Sequence, residues 1–191
     1  MPGDLTLWLQ RMRNGDAVAL ERVVRLLYDE LRAIARARLR HERDAHTLGA
    51  TALVHEAFLR LSREHQLPAG SRTQFLAAAS NTMRRVLVDY ARTRNRAKRG
   101  GGVAPLPLEE AEAFLSEVEA DEILALEDAL QKLAAAEPRA ALVVEHRFFS
   151  GLSVEEIAGL LDVSTKTIQR DWILARAWLR REVAGQLALP D

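Results

Sequence analysis

The sequence predicts an all-α fold with two helical domains joined by an acidic linker, the C-terminal domain containing a helix-turn-helix. Apolar residues recur three or four positions apart in almost every segment, and no segment has the alternation of a β-strand. Three consecutive glycines at residues 100–102 interrupt this periodicity and precede an acidic, proline-containing stretch. We therefore assign residues 1–102 to an N-terminal domain, 103–122 to the linker and 123–191 to a C-terminal domain.

The N-terminal domain is predicted to hold four helices. Asp16 is expected to cap a long second helix, whose apolar stripe runs through residues 20–34. Thr51 is expected to cap the third helix and Ser71 the fourth, because both hydroxyl residues directly precede an amphipathic segment.

The C-terminal helix-turn-helix begins at Ser153, which forms a predicted capping box with Glu156. Asp162 breaks the first helix, and Ser164 begins the second. One side of the second helix is apolar, with Ile168, Trp172, Ala175 and Leu179. The residues expected to face away from the core near its N-terminal end are Thr165, Lys166, Gln169 and Arg170. This polar end is typical of a helix that reads DNA bases, whereas the simpler alternative is a helical hairpin with a solvated face.

Charge is strongly segregated although the net charge is zero. Residues 1–102 hold 19 Lys and Arg against 10 Asp and Glu, residues 103–137 hold 1 against 10, and residues 138–191 hold 7 against 7. The basic residues are densest from Arg84 to Arg99, where Asp89 is the one acid. Such a run is typical of phosphate binding. Tyr90 or Phe75 could stack on an unpaired base, but both lie on the apolar stripe, which favours core packing.

Composition excludes several other classes of protein. The chain has no Cys, so it has no disulfide framework and no thiolate site. No apolar run is long enough to span a membrane, and we expect a cytoplasmic chain without membrane insertion. A metalloprotease motif fails because Leu59 stands four residues after His55, where a second His is required. The five His residues show no paired ligand spacing, so we expect no cofactor, no metal and no enzyme activity.

Four elements together resemble one family. The run MRRVLVDYAR…KRGGG, the helix TALVHEAFLRL, the acidic linker and the terminal helix-turn-helix occur in the order found in bacterial sigma-70 family RNA polymerase sigma factors of the extracytoplasmic-function (ECF) type. The resemblance covers roughly residues 5–185, and the ending RDWILARAWLRRE looks most like an ECF-like subgroup.

The resemblance implies a promoter-specificity subunit that binds core RNA polymerase, recognises the −35 and −10 promoter elements and directs transcription initiation. Its partners are then core polymerase and promoter DNA. Whether an anti-sigma factor or another regulator is a third partner is left open. The alternative is a stand-alone helix-turn-helix transcriptional regulator. In such factors the linker segment threads basic channels of the polymerase. Imitation of a nucleic-acid backbone and a soluble tether are both open as its function here.

The resemblance also implies roles for individual residues. ALVHEAFLRL matches the helix that binds the clamp helices of the largest polymerase subunit. Its implied interface residues are His55, Glu56, Phe58 and Leu59. The helical spacing predicts that Val54, Glu56 and Arg60 project outward while Ala57 and Leu61 pack inward.

The helix from Phe75 to Lys98 resembles the part that reads the opened −10 element. Counting from Phe75 puts Asn81 at the family's DNA-contacting Asn, whereas counting back from Tyr90 puts Arg85 there. The −10 candidates are Asn81, Arg84, Arg85, Arg92, Arg94, Arg96 and Lys98. The C-terminal domain resembles the −35 reader, with Thr165, Lys166, Gln169 and Arg170 at the base-facing positions. One departure is Asp171, where relatives often carry a basic residue.

Overall fold

The computed structural model describes residues 2–39, 46–63, 70–98 and 117–187, and these ranges are helical with no strand among them. The helices are α1 (Pro2–Arg13), α2 (Ala17–Leu26), α3 (Tyr28–Arg38), α4 (His46–Leu61), α5 (Arg72–Lys98), α6 (Glu117–Ala136), α7 (Pro138–Val144), α8 (Val154–Leu161) and α9 (Thr165–Leu187), with a π-helical turn at Glu145–Phe149 between α7 and α8. The prediction of an all-α fold is confirmed. The glycines 100–102 and most of the predicted linker lie outside the described residues.

The chain forms two compact units. The first comprises residues 1–86 with 149–152, and the second comprises residues 87–148 with 153–191. Helix α5 is continuous and contributes residues to both units. The sequence-based division at residues 102 and 122 stays a prediction.

The first unit is built around the apolar sides of α1 to α4 and the first part of α5. Asp16 caps α2 as predicted, because its carboxylate accepts a hydrogen bond from the Val18 N–H at 2.9 Å. That bond and Arg11, whose Nη2 lies 2.6 Å from the carboxylate, hold the pKa of Asp16 below its usual value. Ser71 also acts as predicted, accepting from the Gln74 N–H at 3.2 Å.

Three predictions for this unit are wrong. The long second helix is divided at Leu27 into α2 and α3, although Leu27 itself stays buried. Helix α4 begins at His46, so Thr51 lies inside it and caps nothing. Val54 is buried on the inward side of α4 with Ala57 and does not project outward.

A buried polar cluster also belongs to the first unit. The Ser80 hydroxyl donates to the Phe149 carbonyl at 2.7 Å, and Arg38 Nη2 donates to the same carbonyl at 3.1 Å. The Arg38 guanidinium also lies over the Phe149 ring, 4.8 Å from its centroid. Residues 149–152 are therefore held in this unit by directed hydrogen bonds as well as by apolar packing.

The second unit contains α6 to α9 and the end of α5. Its buried apolar side chains include Leu130, Leu133, Val143, Ile157, Ile168 and Ala175. Pro138 begins α7, a position that suits proline because the first helical N–H needs no partner. Polar contacts between the helices of this unit include Asn95 to Asp121 at 2.9 Å and Lys132 to Glu182 at 2.8 Å.

Candidate nucleic-acid interface

The helix-turn-helix is formed by α8 and α9, and its first helix has the predicted capping box. The Ser153 hydroxyl accepts from the Glu156 N–H at 3.1 Å, and the Glu156 carboxylate accepts from the Ser153 N–H at 2.9 Å. Helix α8 ends at Asp162, which adopts the left-handed conformation with φ of 53°. Asp tolerates this conformation better than most residues, and it turns the chain tightly toward α9.

Helix α9 begins after Ser164, whose hydroxyl accepts from the Thr167 N–H at 3.1 Å. Ile168 and Ala175 are fully buried on its inner side. The four residues predicted to read bases, Thr165, Lys166, Gln169 and Arg170, are all exposed in the first two turns. The exposed end is the N-terminus, where the helix dipole adds partial positive charge to that of Lys166 and Arg170.

Trp172 of the second unit is half-buried, and two arginine guanidinium groups lie near its ring. The Arg147 guanidinium is 4.8 Å from its ring centroid, and that of Arg176 is 5.9 Å away. The sequence-based prediction missed both arginines. The spacing of four residues between Trp172 and Arg176 could have indicated the second, but Arg147 is distant in sequence.

Ile173 is a further residue that the prediction missed. It is 69% exposed although it is a large apolar side chain. It follows Gln169 by four residues, so it lies on the same outward side of α9 one turn later.

On α5, the predicted −10 residues differ in exposure. Arg85, Arg92 and Arg96 are exposed, whereas Asn81, Arg84 and Arg94 are half-buried. Lys98 is the last residue of α5, and its side chain is outside the described part of the structure. Tyr90 and Phe75 are 2% and 0% exposed, so they pack in the core and present no ring to a base.

On α4, the predicted polymerase-contacting residues form a partly accessible side of the helix. His55 is exposed, and Glu56, Phe58 and Leu59 are half-buried. The His55 and Phe58 rings are neighbours, with centroids 6.4 Å apart. Buried Ala57 and Leu61 hold the opposite side of α4 in the core, as predicted.

Comparison with known protein families gives a match over nearly the whole chain. The family described as "ECF sigma factor" matches residues 2–185, nearly the whole chain. The chain belongs to the ECF sigma factor family. It is therefore a promoter-specificity subunit of RNA polymerase, which binds DNA and takes part in transcription initiation. Comparison with curated proteins and with solved structures gave no match.

The family assignment does not by itself assign residues to roles, and Asp171, which directly follows the predicted base-facing residues, is not exposed with them. Asp171 lies on the inner side of α9 and is 6% exposed. Arg139 of α7 binds its carboxylate through two nitrogens, Nε to Oδ2 at 2.5 Å and Nη2 to Oδ1 at 3.3 Å. The hydrogen bond to Asp171 raises the pKa of the Arg139 guanidinium. Asp171 thus faces another helix of its own unit.

The described part of this sigma factor also has an apolar cleft, but no cluster of metal ligands. A cleft in the first unit has an apolar lining of Val24, Leu31, Val54, Ala57, Phe58, Leu61, Phe75, Ala79 and Met83. Within residues 2–39, 46–63, 70–98 and 117–187, no three His, Asp or Glu side chains come together as ligands for a metal ion. No helix in those same ranges combines the length and the apolar character needed to cross a membrane.

Proposed function

We propose that this sigma factor reads the −35 element through the N-terminal end of α9, binds the −10 element through α5 and contacts core polymerase through α4. The observation that carries the proposal is the sharp division of α9. Its first two turns expose Thr165, Lys166, Gln169 and Arg170, whereas Ile168 between them is fully buried. A helix anchored on one side and polar at its N-terminus is the geometry that enters the major groove.

The exposed side chains of α9 suit base recognition. Gln can form a bidentate pair with adenine, and Lys or Arg can pair with guanine. Ile173 continues this side of the helix and suits the 5-methyl group of thymine, an apolar contact that the major groove offers. Arg147 and Arg176, held against Trp172, suit phosphate binding, because stacking restricts them before DNA arrives.

The arginines of α5 suit a contact that does not depend on base sequence. Arg92 and Arg96 are exposed one helical turn apart, and their charges can neutralise successive phosphates. Asn81 and Arg85 are likewise one turn apart, so both lie on the same side of α5. The two sequence registers for the −10 contact therefore name neighbouring side chains on one surface.

Variants of α9 test the −35 assignment. Gln169→Ala and Arg170→Ala are expected to relax base selection at one or two −35 positions, since a well-placed pair is worth about 1–3 kcal/mol of discrimination. Arg181→Ala is the matched control, because Arg181 is an exposed arginine further along the same helix. The measurement is transcription from a −35 library with purified core polymerase. Equal loss of activity on every −35 sequence would overturn the assignment.

Variants of α4 test the polymerase contact. Glu56→Lys with Leu59→Ala is expected to weaken co-purification with core polymerase and leave the helical circular dichroism unchanged, because neither side chain is fully buried. Glu21→Lys on α2 is a control charge reversal at an exposed site. Unchanged association of the double variant, or loss of its helical signal, contradicts the proposed interface.

The alternative of a stand-alone regulator makes a different prediction in the same transcription assay. A regulator binds promoter DNA alone and adds nothing essential to initiation by an already competent polymerase. A sigma factor makes core polymerase initiate at promoters that core alone does not use. Initiation that requires this chain supports the proposed function, and tight duplex binding without any such initiation supports the regulator.

A further inference from the structure

Asp171 is an unusual residue for the inner side of a DNA-reading helix. It follows Ile168 by three residues and precedes Ala175 by four, so the helical repeat puts all three on one side of α9. Ile168 and Ala175 are fully buried, and Asp171 is 6% exposed. A carboxylate taken out of water is strongly disfavoured unless a charged partner compensates it. Its place on α9 therefore depends on the partner.

The partner, Arg139, holds the carboxylate at two points. One contact joins Nε to Oδ2 at 2.5 Å, and the other joins Nη2 to Oδ1 at 3.3 Å. Two parallel contacts between planar groups restrict orientation as well as distance, which a single contact does not. The pair therefore opposes rotation of α9 about its own axis.

The backbone of Arg139 is held in place by its helix, although its side chain is 48% exposed. It is the second residue of α7, and the following residues Ala140, Ala141, Val143 and Val144 are all buried. A short helix packed this closely cannot slide freely, so it is a fixed reference for α9 within the second unit.

The geometry of a helix shows why a fixed rotation matters for base reading. An α-helix with its side chains is about 10–12 Å across, so a rotation of about 30° moves a side-chain tip by about 3 Å. That distance is close to the rise of about 3.4 Å between successive base pairs. A small rotation of α9 would therefore carry Gln169 from one base pair toward its neighbour.

We propose that Arg139 and Asp171 are positioning residues that fix the rotation of α9 and thereby set which −35 bases Lys166, Gln169 and Arg170 meet. This inference rests on the proposed −35 function of α9. It assigns Asp171 a role inside the protein, next to the exposed residues that the proposed function places on DNA.

A second ion pair on the same helix supplies a matched control. Lys132 of α6 binds Glu182 of α9 at 2.8 Å, so it also joins α9 to another helix. The Lys132 side chain is 49% exposed, much like that of Arg139 at 48%, but the Glu182 side chain is 27% exposed whereas that of Asp171 is 8%, and Glu182 lies three turns beyond Asp171. A pair in which neither side chain is buried restricts its helices weakly. Lys132→Met should therefore leave −35 selection unchanged.

The test compares −35 selection with stability. Arg139→Met and Asp171→Asn are expected to reduce the discrimination between the preferred −35 site and its single-base variants about tenfold, within the range of one good base contact. Selection at the −10 element is expected to stay unchanged. Asp171 Oδ1 also lies 3.9 Å from Arg170 Nε, so Arg139→Met isolates the contact with α7.

Replacing both residues distinguishes a positioning role of the pair from a contribution to stability alone. Arg139→Met with Asp171→Leu removes both charges, and such replacement often restores stability because no buried charge is left unpaired. We expect this double variant to melt near the wild-type temperature and still show flattened −35 selection. A stable double variant with wild-type selection overturns the proposal.

Two further variants, Arg139→Lys and Gln169→Ala, test the proposal even if the double variant does not fold. If the double variant fails to fold, Arg139→Lys retains the charge but loses the second contact, and unchanged −35 selection by a folded Arg139→Lys protein overturns the proposal. Gln169→Ala tests the proposed −35 function of α9 independently of the positioning role of Arg139 and Asp171. If Gln169→Ala alters −35 selection but the Arg139 variants do not, the positioning role alone is wrong. If Gln169→Ala has no effect on selection, the proposed −35 function of α9 is wrong.

Discussion

Three exposed arginines of α5 predict a measurable part of the salt dependence of promoter binding. Arg85, Arg92 and Arg96 are exposed, and the proposed role of α5 places them near the phosphates of the opened −10 element. Replacing all three by Ala is expected to weaken binding on every −10 sequence alike, because phosphate contacts carry no base information. Exposed substitutions of this kind usually change stability by no more than about 0.5 kcal/mol, so the fold should persist.

The size of the effect follows from counterion release. Each phosphate contact to single-stranded DNA contributes about 0.7 to the slope of log affinity against log salt, so three contacts contribute about 2. Between about 50 and 200 mM salt, a slope difference of that size changes affinity about 20-fold. The triple variant should therefore be weaker than wild type at low salt and should lose about 20-fold less affinity across that range.

The assay is a salt titration of polymerase containing this sigma factor on promoter DNA with an unpaired −10 strand. The control removes three exposed arginines elsewhere, Arg25, Arg36 and Arg63, so that the change in net charge is the same. The control should keep the wild-type slope. If both triple variants have the same slope, the α5 arginines do not contact phosphates and their assignment is wrong.

Three further predictions concern stability. Ser153→Ala removes the cap of α8 and the partner of the Glu156 N–H, so we expect a loss of about 1 kcal/mol, seen as a lower melting temperature; an unchanged melting temperature contradicts the role of the cap. Burial lowers the pKa of His146 below its ordinary value of 6.5, so the unfolded chain binds a proton that the folded chain resists, and the free energy of unfolding should fall as pH drops below 6.5. His146→Leu should remove that part of the pH dependence in thermal melts, and an identical pH slope in the variant refutes it. Ser80→Ala removes one donor from the Phe149 carbonyl and should cost about 1 kcal/mol in urea unfolding, whereas no change would show that the bond adds nothing.

Local signals in the sequence predicted most of the helix caps, with Thr51 as the exception. Ser71, Ser153 and Ser164 each accept a backbone N–H at the start of a helix, and Asp162 ends α8 in the left-handed conformation. A cap depends on three or four neighbouring residues and on water, so the sequence contains nearly all the information that it needs.

The errors occurred where local periodicity permits more than one structure. Leu27 stays on the buried stripe through the break between α2 and α3, so the apolar pattern cannot reveal a one-residue irregularity. Glycine has a low helix propensity, yet Gly49 lies inside α4, where a Cβ would be 3.4 Å from the Leu39 side chain. Leu53 and Val54 are both at helical spacing from Ala57 and Leu61, so periodicity alone could not decide which of them faces the core. The structure buries all four side chains.

The candidate site likewise combines features that follow from the local sequence with features that depend on residues distant in sequence. The outward side of α9 follows from the helical repeat, because burying Ile168 and Ala175 forces Gln169 to face away from them. The burial of Asp171 does not follow, since its partner Arg139 lies 32 residues earlier and no local spacing joins them. An acid among apolar neighbours is interpretable only when the cation that compensates it is known. Which residues α9 presents is therefore set by local periodicity, whereas the angle at which it presents them depends on a contact that the folded chain alone reveals.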